Sequence, residues 1–334
     1  MQIKVSKAFS MTIEYGMFHR EELELSGLAA QNYDLFISAF NDSERVSSVF
    51  GAVVASRKIW LIHPEYEYEM KDRPKGHECF EPPKGTTEPE FWRLLIEEFD
   101  LGSDLPHLSI AIDITGMMRP HLLVMPLMLK MLGVKIVDVF YADPTAYLSG
   151  SETKFSKGLV QEVAQIGGLE GLHTSSLAET DVLIIGAGYD DELVHRVAES
   201  KRSAHHLLMM GLPGLQAHMY QESQLRMSNI LESVNRFSES SSFIFAPANN
   251  PFMTARELQS KVSSLRIDTH DRNIYLTSVG PKPQVLGFAL YFLCEGRNGP
   301  VSVVFPYTDR YSRETSIGLS RVNRYVLELD WVGN

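Results

Sequence analysis

ITGMMRPHLL (114–123) and TSVGPKPQVL (277–286) read as two copies of one strand–turn–helix unit. Thr115 aligns with Ser278, Arg119 with Lys282 and Pro120 with Pro283, at a constant spacing of 163 residues. Apolar runs alone would match between any two βα units, so agreement across a polar turn points to duplication. Downstream, VFYADPTAYLSGSETKFSKG (139–158) resembles VVFPYTDRYSRETSIG (303–318). Upstream, YDLFISAFNDSERV (33–46) echoes TDVLIIGAGYDDELV (180–194).

Outward from these copies, short apolar runs alternate with amphipathic segments along the chain, the pattern of an α/β protein with largely parallel sheets. Strands are predicted at 33–39, 58–63, 108–114, 135–141, 181–185, 204–210, 243–246, 274–277, 301–305 and 324–329. Helices are predicted at 44–55, 90–99, after Arg119, and at 190–200, 216–237, 251–264 and 282–294. Residues 63–90 are polar and rich in Pro and Gly, which reads as a functional loop or insertion. The expected architecture is two tandem Rossmann-like halves, residues 1–170 with that insertion and residues 171–334.

Composition bounds the function. The chain has 334 residues, 44% hydrophobic and 22% charged, enough to bury a core without metal or disulfide staples. Its net charge of −11 argues against binding duplex DNA or an anionic membrane through a global field, while a local basic pocket stays open. Cys79 and Cys294 stand apart from any CxxC or zinc-ligand spacing, which fits a reducing cytoplasm. The first sixteen residues carry no apolar signal core, and the most apolar stretches, 121–132 and 285–294, are short for a membrane span. A cytoplasmic protein without cofactor or metal is the expectation.

The turns after 108–114 and 274–277 hold the strongest candidates for ligand binding. Asp113, Thr115, Gly116 and Arg119 line the first; Ser278, Gly280, Lys282 and Gln284 line the second. A hydroxyl, a glycine and a cation in the first helical turn suit a phosphate, as ligands of open parallel sheets sit outside the strand ends. An ordinary βα turn with a Ser/Thr cap and Pro at the helix start uses the same residue types. The cation tips the balance, because it opposes the helix dipole unless an anion accompanies it.

These turns resemble the ligand-binding turn of CARF domains, Rossmann-like sensors of cyclic oligonucleotides in prokaryotic defence. Two such units in one chain are similar to the SAVED arrangement. Met117 and Met118 stand where CARF members often carry a second Gly and Thr. The resemblance implies a nucleotide or cyclic oligonucleotide ligand, and a separate effector protein as partner. Two other functions fit the same sequence: a nucleotide or nucleoside hydrolase or transferase with a strand-end pocket, and a ligand-free scaffold docking through the Met-rich stretch 117–131 or the helix 216–237.

Other segments have two readings each. Asn249-Asn250-Pro251 suits base or ribose recognition and equally suits helix capping. Tyr141, Asp143 and Tyr147 recur as Tyr307, Asp309 and Tyr311, fit to stack on a base or to pack a rim. Gly186-Ala187-Gly188 lacks the third glycine of a dinucleotide fingerprint and reads as a tight βα turn. His205 and His206 read as strand packing, with one ring on each face. His63, Glu65, Glu67 and Glu69 form an acid–base or metal cluster or a solvated stretch. Arg310, Arg313, Arg321 and Arg324 form a basic patch or pair with Asp309, Glu314 and Glu328.

Overall fold

The computed structural model describes residues 13–147, 156–173, 179–188, 190–216, 221, 225, 228, 243–268, 272–312 and 316–331. The apolar run Asn32–Ala39 (β2) forms the first strand of a parallel set with Val54–Leu61 (β3), Glu78–Phe80 (β4), Ile110–Asp113 (β5) and Ile136–Asp143 (β6). In the sheet these lie in the order β4-β3-β2-β5-β6. Leu35, Phe36, Ile37 and Ile112 are wholly buried or nearly so, as expected for parallel strands covered on both faces. Glu44–Ala52 (α1), Glu88–Glu98 (α2) and Arg119–Met131 (α3) are the helices of this sheet.

A second sheet repeats the plan. Val182–Gly186 (β9), His205–Gly211 (β10), Phe243–Ala246 (β11), Ile274–Ser278 (β12) and Val301–Tyr311 (β13) are parallel and lie in the order β11-β10-β9-β12-β13. Numbered within its own set, each sheet runs third, second, first, fourth, fifth. Its helices are Asp191–Ser200 (α4), Pro251–Asp268 (α5) and Lys282–Tyr291 (α6).

Each sheet then takes one antiparallel strand from the other's sequence. Ser156–Gln165 (β8) follows the first sheet along the chain but pairs with β13. Arg321–Glu328 (β15) follows β13 but pairs with β6, and Arg20–Leu23 (β1) adds outside it. A two-stranded ribbon of Ala146–Tyr147 (β7) and Ser316–Ile317 (β14) joins the two crossings. The larger apolar core accordingly runs without interruption from β2, α2 and α3 into β9, β12 and α6. A smaller core of Phe36, Val46, Val49, Phe50 and Trp60 fills the opposite face of the first sheet.

Several expectations need correction. Residues 63–90 are not an insertion outside the sheet, since they contain β4, the third parallel strand. Met117, Met118 and Met125 are core residues, so the Met-rich stretch offers no docking face through them. Arg321 pairs with Asp143 and Glu22, and Arg324 with Asp138 and Glu21, while Glu314 and the side chain of Asp309 lie outside the described residues. The helix expected at 216–237 lies largely outside the described residues, as do Arg313 and the side chain of Arg310. His206 faces the core and His205 the solvent, as the strand alternation predicts. Among the described residues, no helix is long and apolar enough to cross a membrane.

Candidate functional site

In each parallel set the strand order reverses direction beside the first strand, between β2 and β5 and between β9 and β12. Carboxyl-end loops diverge at such a point and leave a crevice. Glycine is required at both. A methyl group on Gly116 would sit 2.0 Å from the Ala39 carbonyl oxygen, and one on Gly188 would sit 2.3 Å from the Val279 carbonyl oxygen. The Gly-Ala-Gly turn at 186–188 is thereby explained by its close passage over the β12 turn.

The turn after β5 is internally satisfied. The Asp113 carboxylate, fully buried, accepts from the Thr115 backbone N–H at 2.9 Å and from the Ser38 hydroxyl at 2.9 Å. Burial pushes the Asp113 carboxyl up, while these hydrogen bonds and Arg45 pull it down. The Thr115 hydroxyl accepts the Ala142 N–H at 2.9 Å. Arg119 reaches across to the other sheet's turn, its Nε donating to the Gly280 carbonyl at 2.9 Å. Of the four residues expected to bind ligand here, Asp113, Thr115 and Arg119 thus bond to the protein itself.

The turn after β12 is the opposite. The Thr277 and Ser278 hydroxyls and both amide atoms of Gln284 are fully buried, and none has a hydrogen-bond partner among the described residues. The Gln284 carboxamide lies beside Gly280, where a methyl group would come within 2.5 Å of its Oε1. Buried polar groups without partners cost about 1–3 kcal/mol each, so this cluster calls for a partner that the described residues do not supply.

The two turns converge. Helices α3 and α6 pack together, and each begins with a cation followed by proline, Arg119-Pro120 and Lys282-Pro283. Neither helix has a side-chain cap on its first N–H groups. Burial holds the Lys282 amine well below the usual lysine range; the fields of Arg119 and Arg45 push the same way, and Asp113 opposes them. Arg45, at the start of α1, donates to the Ala142 carbonyl and the Ser316 hydroxyl.

Aromatic and acidic groups frame these cations. His63 and His121 lie 4.8 Å apart between ring centroids, flanked by Phe91. Burial and Lys282 hold both rings neutral, His121 down to about 3, and the Nδ1 atom of each lacks a partner among the described residues. His63 Nε2 accepts the Met118 N–H at 3.3 Å. Tyr66 and Tyr311 meet edge-on at 6.5 Å. Burial raises both phenols to about 12, Arg119 draws both down, and Glu65 pushes both up. Burial also raises the Glu65 carboxyl, whose Oε2 has no hydrogen-bond partner among the described residues.

The structure thus brings Arg119, Gly280, Lys282 and Tyr311 together with Arg45, His63, Glu65, Tyr66 and His121. It places others elsewhere or in structural roles. Asn250, not Asn249, caps α5, its Oδ1 accepting the Met253 N–H at 3.1 Å, and the Asn249 carbonyl holds the Tyr325 hydroxyl at 2.7 Å. Tyr147 is placed only by its backbone, opposite Ser316, and its side chain lies outside the described residues. Glu67 and Glu69 are exposed, and no group of three metal-ligating side chains occurs among the described residues.

Sequence reading missed Arg45, Tyr66 and His121. Arg45 carries the signal that exposed Arg119 and Lys282, a cation in the first helical turn after a strand, but the turn before it lacks glycine. Tyr66 and His121 carried no local signal, because only the fold brings them to Arg119 and Lys282. Comparison with family models and with curated proteins finds no match for this chain.

Proposed function

We propose that this chain binds a phosphate-bearing nucleotide ligand between its two sheets and acts as a sensor or accessory protein with a separate effector. One observation carries the reading: Arg45, Arg119 and Lys282, each from a different helix start, converge on the strand-end turn whose buried Ser278 hydroxyl and Gln284 carboxamide have no partner among the described residues. Asp113, the carboxylate acting on Lys282, already has both oxygens bonded. Two arginines and a lysine near buried hydroxyls and a carboxamide without partners among the described residues describe the complement of an anion.

The shared strand order supports reading the chain as two tandem Rossmann-like halves, and the paired strand-end turns support the CARF/SAVED resemblance. A role in prokaryotic defence and the effector rest on that resemblance alone. The two free cysteines, Cys79 and Cys294, support a cytoplasmic setting.

Thermal unfolding against mono-, di- and cyclic oligonucleotides, with mass analysis of each ligand afterwards, tests this. At a hundredfold excess over Kd, binding adds about 2.7 kcal/mol of stability, and the ligand is recovered intact. Arg119→Ala and Lys282→Ala each weaken affinity by about 1.5–3 kcal/mol. Unchanged affinity in both removes the assignment.

A second reading, a hydrolase or transferase, is favoured by the neutral His63–His121 pair and the raised Glu65 carboxyl beside the same cations. Recovery of cleaved ligand in that experiment selects it. Asp113, with both oxygens engaged, is not positioned as its acid or base.

A further inference from the structure

Resting on the nucleotide reading, we propose that the site seats one terminal phosphoryl group, a phosphomonoester dianion shared between the starts of α3 and α6, and not a phosphodiester on each sheet.

The geometry argues for one place, not two. Arg119 and Lys282 occupy equivalent positions in the repeated sequence, yet Arg119 is directed to the other sheet's turn. Arg119 bonds the Gly280 carbonyl at 2.9 Å, and Lys282 acts on His63 and His121 of the first sheet. Two independent anion sites would keep each cation over its own turn. The crossing of Arg119 points to a common centre between the two turns.

The donors there outnumber what a single negative charge needs. The uncapped α3 and α6 starts present N–H groups, with proline occupying the second position of each. Gln284, wholly buried beside Gly280, has a carboxamide, and Ser278, against Gly186, a hydroxyl, both without partners among the described residues. The Nδ1 atoms of His63 and His121 add two more polar atoms without partners among the described residues. A phosphomonoester carries about −1.5 to −2 charge and three terminal oxygens near neutral pH, against one charge and two free oxygens on a diester. Arg45, Arg119 and Lys282 match the former.

Protons should follow the anion. The groups acting on Lys282 are Arg119 and His121 on α3, Arg45 on α1, Asp113 on β5, and His63 beyond β3. Their field and burial disfavour the ammonium form in the empty site. A dianion beside it reverses that, so binding takes up a proton wherever the amine is neutral in the empty site, whereas a diester draws less.

Calorimetry at fixed ionic strength, using a nucleoside 5′-monophosphate, its 3′,5′-cyclic counterpart and inorganic phosphate, decides the matter. The expected result is one monophosphate per chain, bound about tenfold or more tighter than the cyclic diester and displaced by inorganic phosphate. Repeating the titration in buffers of different ionisation enthalpy should reveal proton uptake, abolished in Lys282→Met. Two ligands per chain, or a diester bound as tightly as the monoester, overturns the single-monoester proposal and leaves nucleotide binding standing. Failure of every nucleotide and of inorganic phosphate to bind takes both down. Stoichiometry and the monoester-to-diester ratio are read on the unaltered protein, so neither depends on the variant folding.

Discussion

The turn after β5 and the turn after β12 are built from one sequence pattern and have opposite bonding. In the first, Asp113 collects Ser38 and Thr115, Thr115 collects Ala142, and Gly116 lies against the Ala39 carbonyl. In the second, Thr277, Ser278 and Gln284 are just as deeply buried and stay without partners among the described residues. A repeated motif can thus divide its labour, one copy bonded within the fold and the other without partners among the described residues. Arg119 links the two roles, since it belongs to the closed turn and bonds the carbonyl of the open one.

Glycine replacement gives the largest contrast. In Gly116→Ala the new methyl would stand 2.0 Å from a backbone oxygen and 2.9 Å from its carbon, in a core with no room to shift. A loss of about 4 kcal/mol or more, or failure to fold, is expected. In Gly280→Ala the nearest atom is the movable Gln284 Oε1, with the Ala187 oxygen at 3.0 Å, so the loss should be about 1–2 kcal/mol. Chemical denaturation measures both, and equal losses would erase the distinction between a closed and an open turn.

Removing one carboxylate tests the same asymmetry by chemistry. Asp113→Ala leaves the Thr115 N–H and the Ser38 hydroxyl buried without acceptors, at a cost of about 2–4 kcal/mol. Asp113→Asn keeps one acceptor and should recover about half of that. If Asp113→Ala is neutral in stability but abolishes ligand binding, Asp113 belongs to the open site after all.

The parallel strands and the two turns were legible in sequence because continuous apolar runs and a repeated polar turn are local signals. The exchange of β8 and β15 was not. Nothing within 156–165 or 321–328 states which sheet it will join, since either antiparallel edge accepts the same alternation. β4 escaped notice because three residues, Glu78–Phe80, are too few to show a period amid Pro and Gly. The candidate site was half legible: Arg119 and Lys282 announce themselves at helix starts, whereas His121 lies on a helix face that reads as core. Its neighbours Phe91 and His63 come from elements remote in sequence.

Those histidines set an acid limit. Both are held neutral in the fold, His121 down to about 3, while an unfolded histidine titrates near 6.5. Their contribution is fully present above about pH 6.5 and drains away as pH falls toward the folded value, at about 1.4 kcal/mol per pH unit for each ring. Asp113, Asp143 and Glu65, raised by burial, work in the opposite direction between their folded values and the unfolded carboxylate range at about 4, and soften the slope there. His121→Phe, packed against Phe91, should flatten the stability profile between pH 6.5 and 5 by one ring's share. An unchanged slope would mean that His121 is solvated and belongs to neither turn's interior.

The smallest expected effect is the most discriminating. Ser278 and Thr115 are aligned hydroxyls at the ends of equivalent strands, and of the two only Thr115 has a partner among the described residues. Thr115→Val should cost about 1–3 kcal/mol, because it strips the Ala142 N–H of its acceptor. Ser278→Ala removes a hydroxyl whose desolvation nothing offsets in the empty protein, so its stability should change by no more than about 0.5 kcal/mol. The loss should surface only in ligand affinity. A substitution silent in the empty protein and costly in the complex is the mark of a group kept for a ligand. If Ser278→Ala instead destabilises the empty protein as much as Thr115→Val does, its hydroxyl is bonded within the fold, and the open turn is closed.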